Sequence, residues 1–309
     1  MPPTVPNRAQ ANLTDTCLPL RESVRTVVHA AVVRRREAPA AVRYWHLLSL
    51  DAPTVAVVWS LAFAWLAHVR LPLWLLLLQA LVVWAVYVGD RLLDARTGLR
   101  QRDGEELRER HFFHWRHRAV LTPLAVLASG AAACLILRWM PVMAKERSSM
   151  LGAASLAYFA RVHTGGAASR LRRFATKELL VGVLFTTGCA LPAWSRGGSS
   201  WALLAAALYF AALAWLNCRA IEEWESGALR SGIWRKAQWI AAVGFTAAGL
   251  VVCLDARTAV LLAAGAASAF LLGALDRMRP RMSAVLLRAA ADLVLLTPAL
   301  VLAAQWGRR

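Results

Sequence analysis

The sequence predicts an all-α polytopic membrane protein, one bundle of nine transmembrane helices with the N-terminus cytoplasmic and the C-terminus outside. Three observations predict it. Hydrophobic residues make up 59% of the 309 and charged residues only 17%, against roughly half and a quarter in soluble domains. The apolar residues fall into nine runs, each read as a helix able to cross about 30 Å of hydrocarbon. If each run flips sides, 28 of the 36 Lys and Arg fall on one face and 8 on the other, the asymmetry expected of cytoplasmic loops.

The runs cover roughly 52–69, 72–89, 119–137, 148–160, 178–195, 201–218, 237–254, 258–275 and 284–304. Each must be helical, because lipid satisfies no backbone N–H or C=O. The fourth is short and flanked by Lys145, Arg147 and Arg161. Pro72 suits the first turn of the second run. Trp74, Trp139, Trp194, Trp201 and Trp306 stand near run ends, as in an interfacial aromatic belt. Residues 1–43 form a basic tail expected to be flexible, and residues 44–309 form the membrane domain.

The net charge of +18 and pI near 11.3 would suit a polyanionic partner in a soluble chain. Here loop asymmetry accounts for them, which excludes nucleic acid as the expected partner. The five cysteines form no C-x-x-C pair and read as small apolar residues. No HExxH is present, and the histidines show no metal spacing. Residues 1–20 lack the pattern of a secretory signal peptide.

Two acidic clusters close apolar runs at predicted cytoplasmic ends. YVGDRLLDARTG, residues 87–98, places Asp90 and Asp94 on one helix face. LNCRAIEEWESG, residues 216–227, places Glu222 and Glu225 on another, with Asn217 two turns earlier. Carboxylates at a helix C-terminus oppose the macrodipole, which points to a cation. Mg2+ takes oxygen ligands and shares them with phosphates. Ordinary interfacial ion pairs with Arg91 and Arg96 are an equal alternative. Between the clusters, Arg161, Arg173 and Lys177 could face phosphate oxygens or serve as positive-inside charge. The helix opening KELLVGVLFTTG, residues 177–188, carries Gly182 and Gly188 for close packing. Asp51 is expected to cap the first run, and Asp292 to pair with Arg288 one turn before it.

These features together resemble the UbiA superfamily of intramembrane prenyltransferases, over about Trp45 to Trp306. Nine helices, acidic motifs closing the second and sixth, and Lys-Glu-Leu-Leu-Val-Gly opening the fifth carry the resemblance. It implies transfer of an isoprenyl group from an isoprenyl diphosphate to a lipophilic or aromatic acceptor, with Mg2+ as cofactor, in the bacterial inner (cytoplasmic) membrane. Asp90, Asp94, Glu222 and Glu225 would hold the metal and act in catalysis. Asn217, Arg161, Arg173 and Lys177 would bind the diphosphate. The family's first motif reads N-D-x-x-D-x-x-x-D; here Gly89, Leu93 and Thr97 replace the Asn and two Asp, and Asp94 sits one position late. In the second motif Glu replaces Asp, and Cys218 and Ile221 depart from the pattern. The departures motivate an alternative: a non-catalytic UbiA-like protein that binds an isoprenoid lipid or quinone or scaffolds a membrane enzyme. A transporter is disfavoured, because no two runs show matched Gly or Pro breaks. The CDP-alcohol phosphotransferase and CAAX-type protease spacings also fail.

Overall fold

The computed structural model describes residues 35–100, 109–164, 170–198, 200–226 and 231–306, without the side chains of 97–100, 156, 158–164 and 170–176. They form twelve α-helices: α1 (Ala40–Leu47), α2 (Asp51–Leu66), α3 (Leu73–Arg100), α4 (Glu109–Arg116), α5 (Arg118–Trp139), α6 (Val142–Thr164), α7 (Arg170–Gly197), α8 (Trp201–Glu225), α9 (Ile233–Val251), α10 (Ala256–Met278), α11 (Ala284–Leu293) and α12 (Thr297–Trp306). No strand is present among the described residues beyond one parallel bridge, Arg36 to Met282.

Every apolar run becomes helix, yet not every run qualifies as a span. Six helical segments are long and apolar enough: Leu73–Arg96, Arg118–Trp139, Lys177–Gly197, Trp201–Glu225, Ala256–Arg281 and Ala284–Gln305. A seventh span results if α1 and α2, bent by 87° at their junction, are taken together. The reasons are local. The 16 residues of α2 reach only about 24 Å. Lys145, Glu146 and Arg147 lie in the opening turns of α6, and Arg235, Lys236 and Gln238 in those of α9. The last run does qualify, although a 3-10 turn at Val294–Leu296 interrupts it.

The core lies where α2, α7, α8, α9, α10 and α11 converge. Trp59 stacks on Phe210 at 3.8 Å between ring centroids, and its indole N–H donates to the Leu295 carbonyl at 3.0 Å. That carbonyl sits at the broken helix, where the backbone needs an outside donor. Gly182 lets α7 approach the α8 backbone: a Cβ there would lie 3.0 Å from the Trp215 nitrogen and 3.2 Å from the Ala211 oxygen. Gly188 has only ordinary contacts, at 3.8 Å. Trp74 and Trp139 meet at the α3–α5 end, 6.5 Å apart.

The helix connections sort to two ends. At one, the Arg257 guanidinium donates to the Trp65 carbonyl at 2.7 Å, and Gly197 abuts Ala67 and Val69. At the other, Asp276 accepts from the indole of Trp224 at 2.7 Å and the amide of Trp234 at 3.1 Å, joining α8, α9 and α10. Arg36 is tied there too, donating to Arg281 and accepting from Ser283 through its backbone. Of the expected basic tail, residues 1–34 lie outside the described residues; Arg36 is held in place, and α1 begins at Ala40.

Candidate functional site

A buried polar centre occupies this second end, and it starts at the α1–α2 elbow. Residues YWHLLSLD, 44–51, cannot continue as one helix, because Ser49 has φ 60, a left-handed conformation that costs an ordinary side chain. The break turns the His46 carbonyl, the Ser49 hydroxyl and the Asp51 carboxylate inward together. Arg91 of α3 closes on all three: Nη1 donates to the His46 carbonyl at 2.8 Å and to Ser49 Oγ at 2.9 Å, and Nη2 to Asp51 Oδ2 at 3.1 Å. His46 Nδ1 lies 2.7 Å from the same carboxylate oxygen; a carboxylate only accepts, so this ring nitrogen carries the proton. Asp51 was expected as a helix cap. It is instead the first residue of α2, and although Oδ1 accepts from Ala52 N at 3.0 Å, its other oxygen is the hub of the elbow.

The network continues through α4. His114 Nδ1 donates to the Arg110 carbonyl at 2.8 Å, so Nε2 accepts from Ser49 Oγ at 3.0 Å. Burial pushes His114 down to about 4, which keeps this imidazole neutral. Arg110 then donates to Glu225 Oε1 at 2.6 Å, and Arg288 of α11 grips the same oxygen. The expected Arg288–Asp292 pair therefore does not form. Asp292 accepts instead from Asn217 Nδ2 at 3.0 Å. The rotation of α11 against α8 decides this, since it carries Arg288 toward a carboxylate already brought close by α4.

A second feature lies between α7 and α8, a cavity of about 440 Å³ lined by Glu178, Leu179, Ala212, Trp215 and Arg219. Glu178 is only 5% exposed, and neither carboxylate oxygen has a hydrogen-bond partner. Arg219 Nη1 stands 3.8 Å away, held on its other side by Glu223 at 3.2 Å. Glu222 lies within electrostatic reach of Glu178. Glu223 is structural: it accepts from Lys236 at 2.9 Å and from Ser231 and Gly232, each at 3.1 Å, at the start of α9.

The expected site residues thus fall into different settings. Asp90 is half-buried and Asp94 exposed, beside the buried face that α3 presents through Val88, Arg91 and Ala95. Glu222 is half-buried, whereas Glu225 is engaged by two guanidinia. Asn217 turns to Asp292. Lys177 is exposed at the opening of the described side chains of α7. Arg161 and Arg173 belong to α6 and α7, but their side chains lie outside the described residues. Glu178 thus keeps both oxygens clear of hydrogen-bond donors, whereas Glu225 is committed to Arg110 and Arg288. His46, Arg91, Arg110 and His114 were missed as a cluster. Their signal was present: His46 and Asp51 flank a Ser just before an apolar run, and Arg110 and His114 share a face of ERHFFHWRHR, residues 109–118. The chain matches no family model, no curated protein and no solved structure.

Proposed function

We propose that the chain is a UbiA-like intramembrane prenyltransferase. In this reading it is a nine-helix bundle with its N-terminus cytoplasmic and its C-terminus outside, set in the bacterial inner membrane. It moves an isoprenyl group from an isoprenyl diphosphate to a lipophilic or aromatic acceptor. The observation that carries the reading is Glu178, a buried carboxylate with no hydrogen bond to either oxygen, within electrostatic reach of Glu222, paired with Arg219 at 3.8 Å and lining an apolar cavity.

Bound Mg2+ would supply Lewis-acid stabilisation of the departing diphosphate. Glu178 and Glu222 would hold it through carboxylate oxygens, with Asp90 and Asp94 of α3 proposed as further acidic groups of the site. Arg219 and Lys177 place cationic donors for phosphate oxygens nearby. Trp215 and Leu179 give the cavity an apolar wall for an isoprenyl chain, and Leu179, Leu180 and Val183 expose apolar surface along α7, a route for lipophilic substrates from the bilayer. The test is Mg2+-dependent release of diphosphate from isoprenyl diphosphates by the full chain in detergent. Glu178→Gln and Glu222→Gln should each slow it about 10²-fold or more. Absence of release across chain lengths and acceptor classes would sink the proposal.

A second reading, a non-catalytic protein that binds an isoprenoid lipid or quinone or scaffolds a membrane enzyme, is favoured by Glu225. Its carboxylate is committed to Arg110 and Arg288, which removes one expected metal ligand. This reading expects an isoprenoid lipid to copurify and to be retained in Glu178→Gln.

A further inference from the structure

The elbow holds a grouping that the transfer chemistry does not use. His46, Asp51 and Asp292 each offer one ligand atom, all within 4.8 Å of one another, and all three residues are buried. The elbow brings His46 and Asp51 together, and Asp292 reaches them from α11, far away in the sequence. We propose that these three side chains form a binding site for a divalent first-row transition metal, which staples the α1–α2 elbow to the last helix.

Direct contacts leave one carboxylate, Asp292, without a guanidinium. Arg91 is committed to Asp51, and Arg110 and Arg288 are both committed to Glu225. Asp292 accepts only from the neutral amide of Asn217. A carboxylate buried in an apolar bundle needs a positive partner or several donors, and Asp292 has neither in direct contact.

Asn217 supplies an independent observation. It is 6% exposed, its amide N–H orients Asp292, and its own Oδ1 is buried without a partner. An acceptor left over beside a ligand carboxylate is the natural receiver for a metal-bound water. Three protein ligands plus water is the pattern of a site with one exchangeable position. The supporting contacts are also those a metal site requires: Arg91 fixes Asp51, and Asn217 fixes Asp292. His46 directs one N–H to Asp51, and a neutral imidazole keeps a lone pair on its other nitrogen.

The donor set selects the metal class. One imidazole nitrogen with two carboxylates suits Zn2+, Mn2+ or Fe2+, whereas Mg2+ and Ca2+ prefer all-oxygen shells. This site is thus chemically distinct from the Glu178–Glu222 pair.

The experiment uses the full chain purified in detergent without chelator, with metal content read by mass spectrometry. About one Zn2+, Mn2+ or Fe2+ per chain is expected. It should be lost in Asp292→Asn and in His46→Gln, and kept in Glu178→Gln, which separates this site from the proposed transfer site. Asn217→Ala should weaken Zn2+ binding about 10- to 100-fold. Because the ligand variants can fail to fold, wild-type protein is also stripped and reloaded with Co2+. Visible absorption bands of a mixed nitrogen–oxygen shell, displaced by Zn2+, support the site. Wild-type protein that binds none of these metals and gives no Co2+ bands overturns it, as does metal retained in both ligand variants.

Discussion

Asn217 and Asp292, 75 positions apart, meet through one amide hydrogen bond of 3.0 Å inside the bundle. The bond joins α8 to α11 at the depth where Arg288 reaches back to Glu225. Both contacts link the same two helices, so they fix one rotation of α11. Either pair broken leaves a buried charged group short of a partner.

The first prediction concerns Arg91. Its guanidinium is 3% exposed and holds the elbow through three acceptors. Arg91→Met leaves Asp51 buried without its cation and should cost about 3–5 kcal/mol. Arg91→Lys keeps the charge but not the fork, and should fall between the two. Thermal unfolding in detergent, followed by a thiol-reactive dye on buried Cys189, measures the order. Equal melting of all three proteins would refute the assignment.

His114 gives a pH dependence. Its folded value is lowered by burial from 6.5 to about 4, so the unfolded chain binds more protons between these values. Stability from this group is complete above pH 6.5 and declines as pH falls toward 4. His114→Gln should show a shallower loss of melting temperature over that window. A parallel loss in both proteins would show that other groups carry it.

Gly182 and Gly188 make a paired test of helix packing. A Cβ at Gly182 meets backbone atoms of α8 that cannot rotate away, so Gly182→Val should destabilise by about 1–3 kcal/mol. Gly188→Ala meets only side chains at 3.8 Å and should be neutral or slightly stabilising through helix propensity. Melting temperatures of the two variants should diverge. The reverse order would contradict the α7–α8 contact.

Asp255 caps α10 at the opposite end. It accepts from the backbone of Arg257 at 2.9 Å and from the Thr258 hydroxyl at 2.6 Å, and the hydroxyl holds its carboxyl below the usual range. Asp255→Ala should cost about 1 kcal/mol. The loss should be present above pH 3.8 and shrink in acid as the wild-type carboxylate protonates. Chemical denaturation at two pH values reads both effects.

Helix content was legible throughout, since each apolar run became helix, although several helices extend well beyond their runs and the last is split by a 3-10 turn. Close packing at Gly182 was legible too, because a bare Cα in an apolar helix marks an approach. The number of helices long and apolar enough to cross was less so: α6 and α9 carry charged residues that a run count passes over, and α2 meets the requirement only together with the bent α1. At the site, Glu178 stands in the sequence only as part of the Lys-Glu-Leu-Leu-Val-Gly opening, and its burial is visible only in the assembled bundle. Asp51 looked like a cap and Arg288 like a helical neighbour of Asp292, because spacing rules see only contacts within one helix.

Which segments are helical, and which helices are apolar enough to enter lipid, follows from each stretch of chain without reference to the rest, because backbone bonding and hydrophobicity act over a few turns. Which charges meet followed only from the assembled bundle. The Ser49 break, the inward turn of Arg91 and the rotation of α11 bring residues from six helices to one buried end. Interactions between buried charges depend on distance and desolvation in three dimensions, and neither quantity is written in the spacing of residues along one helix.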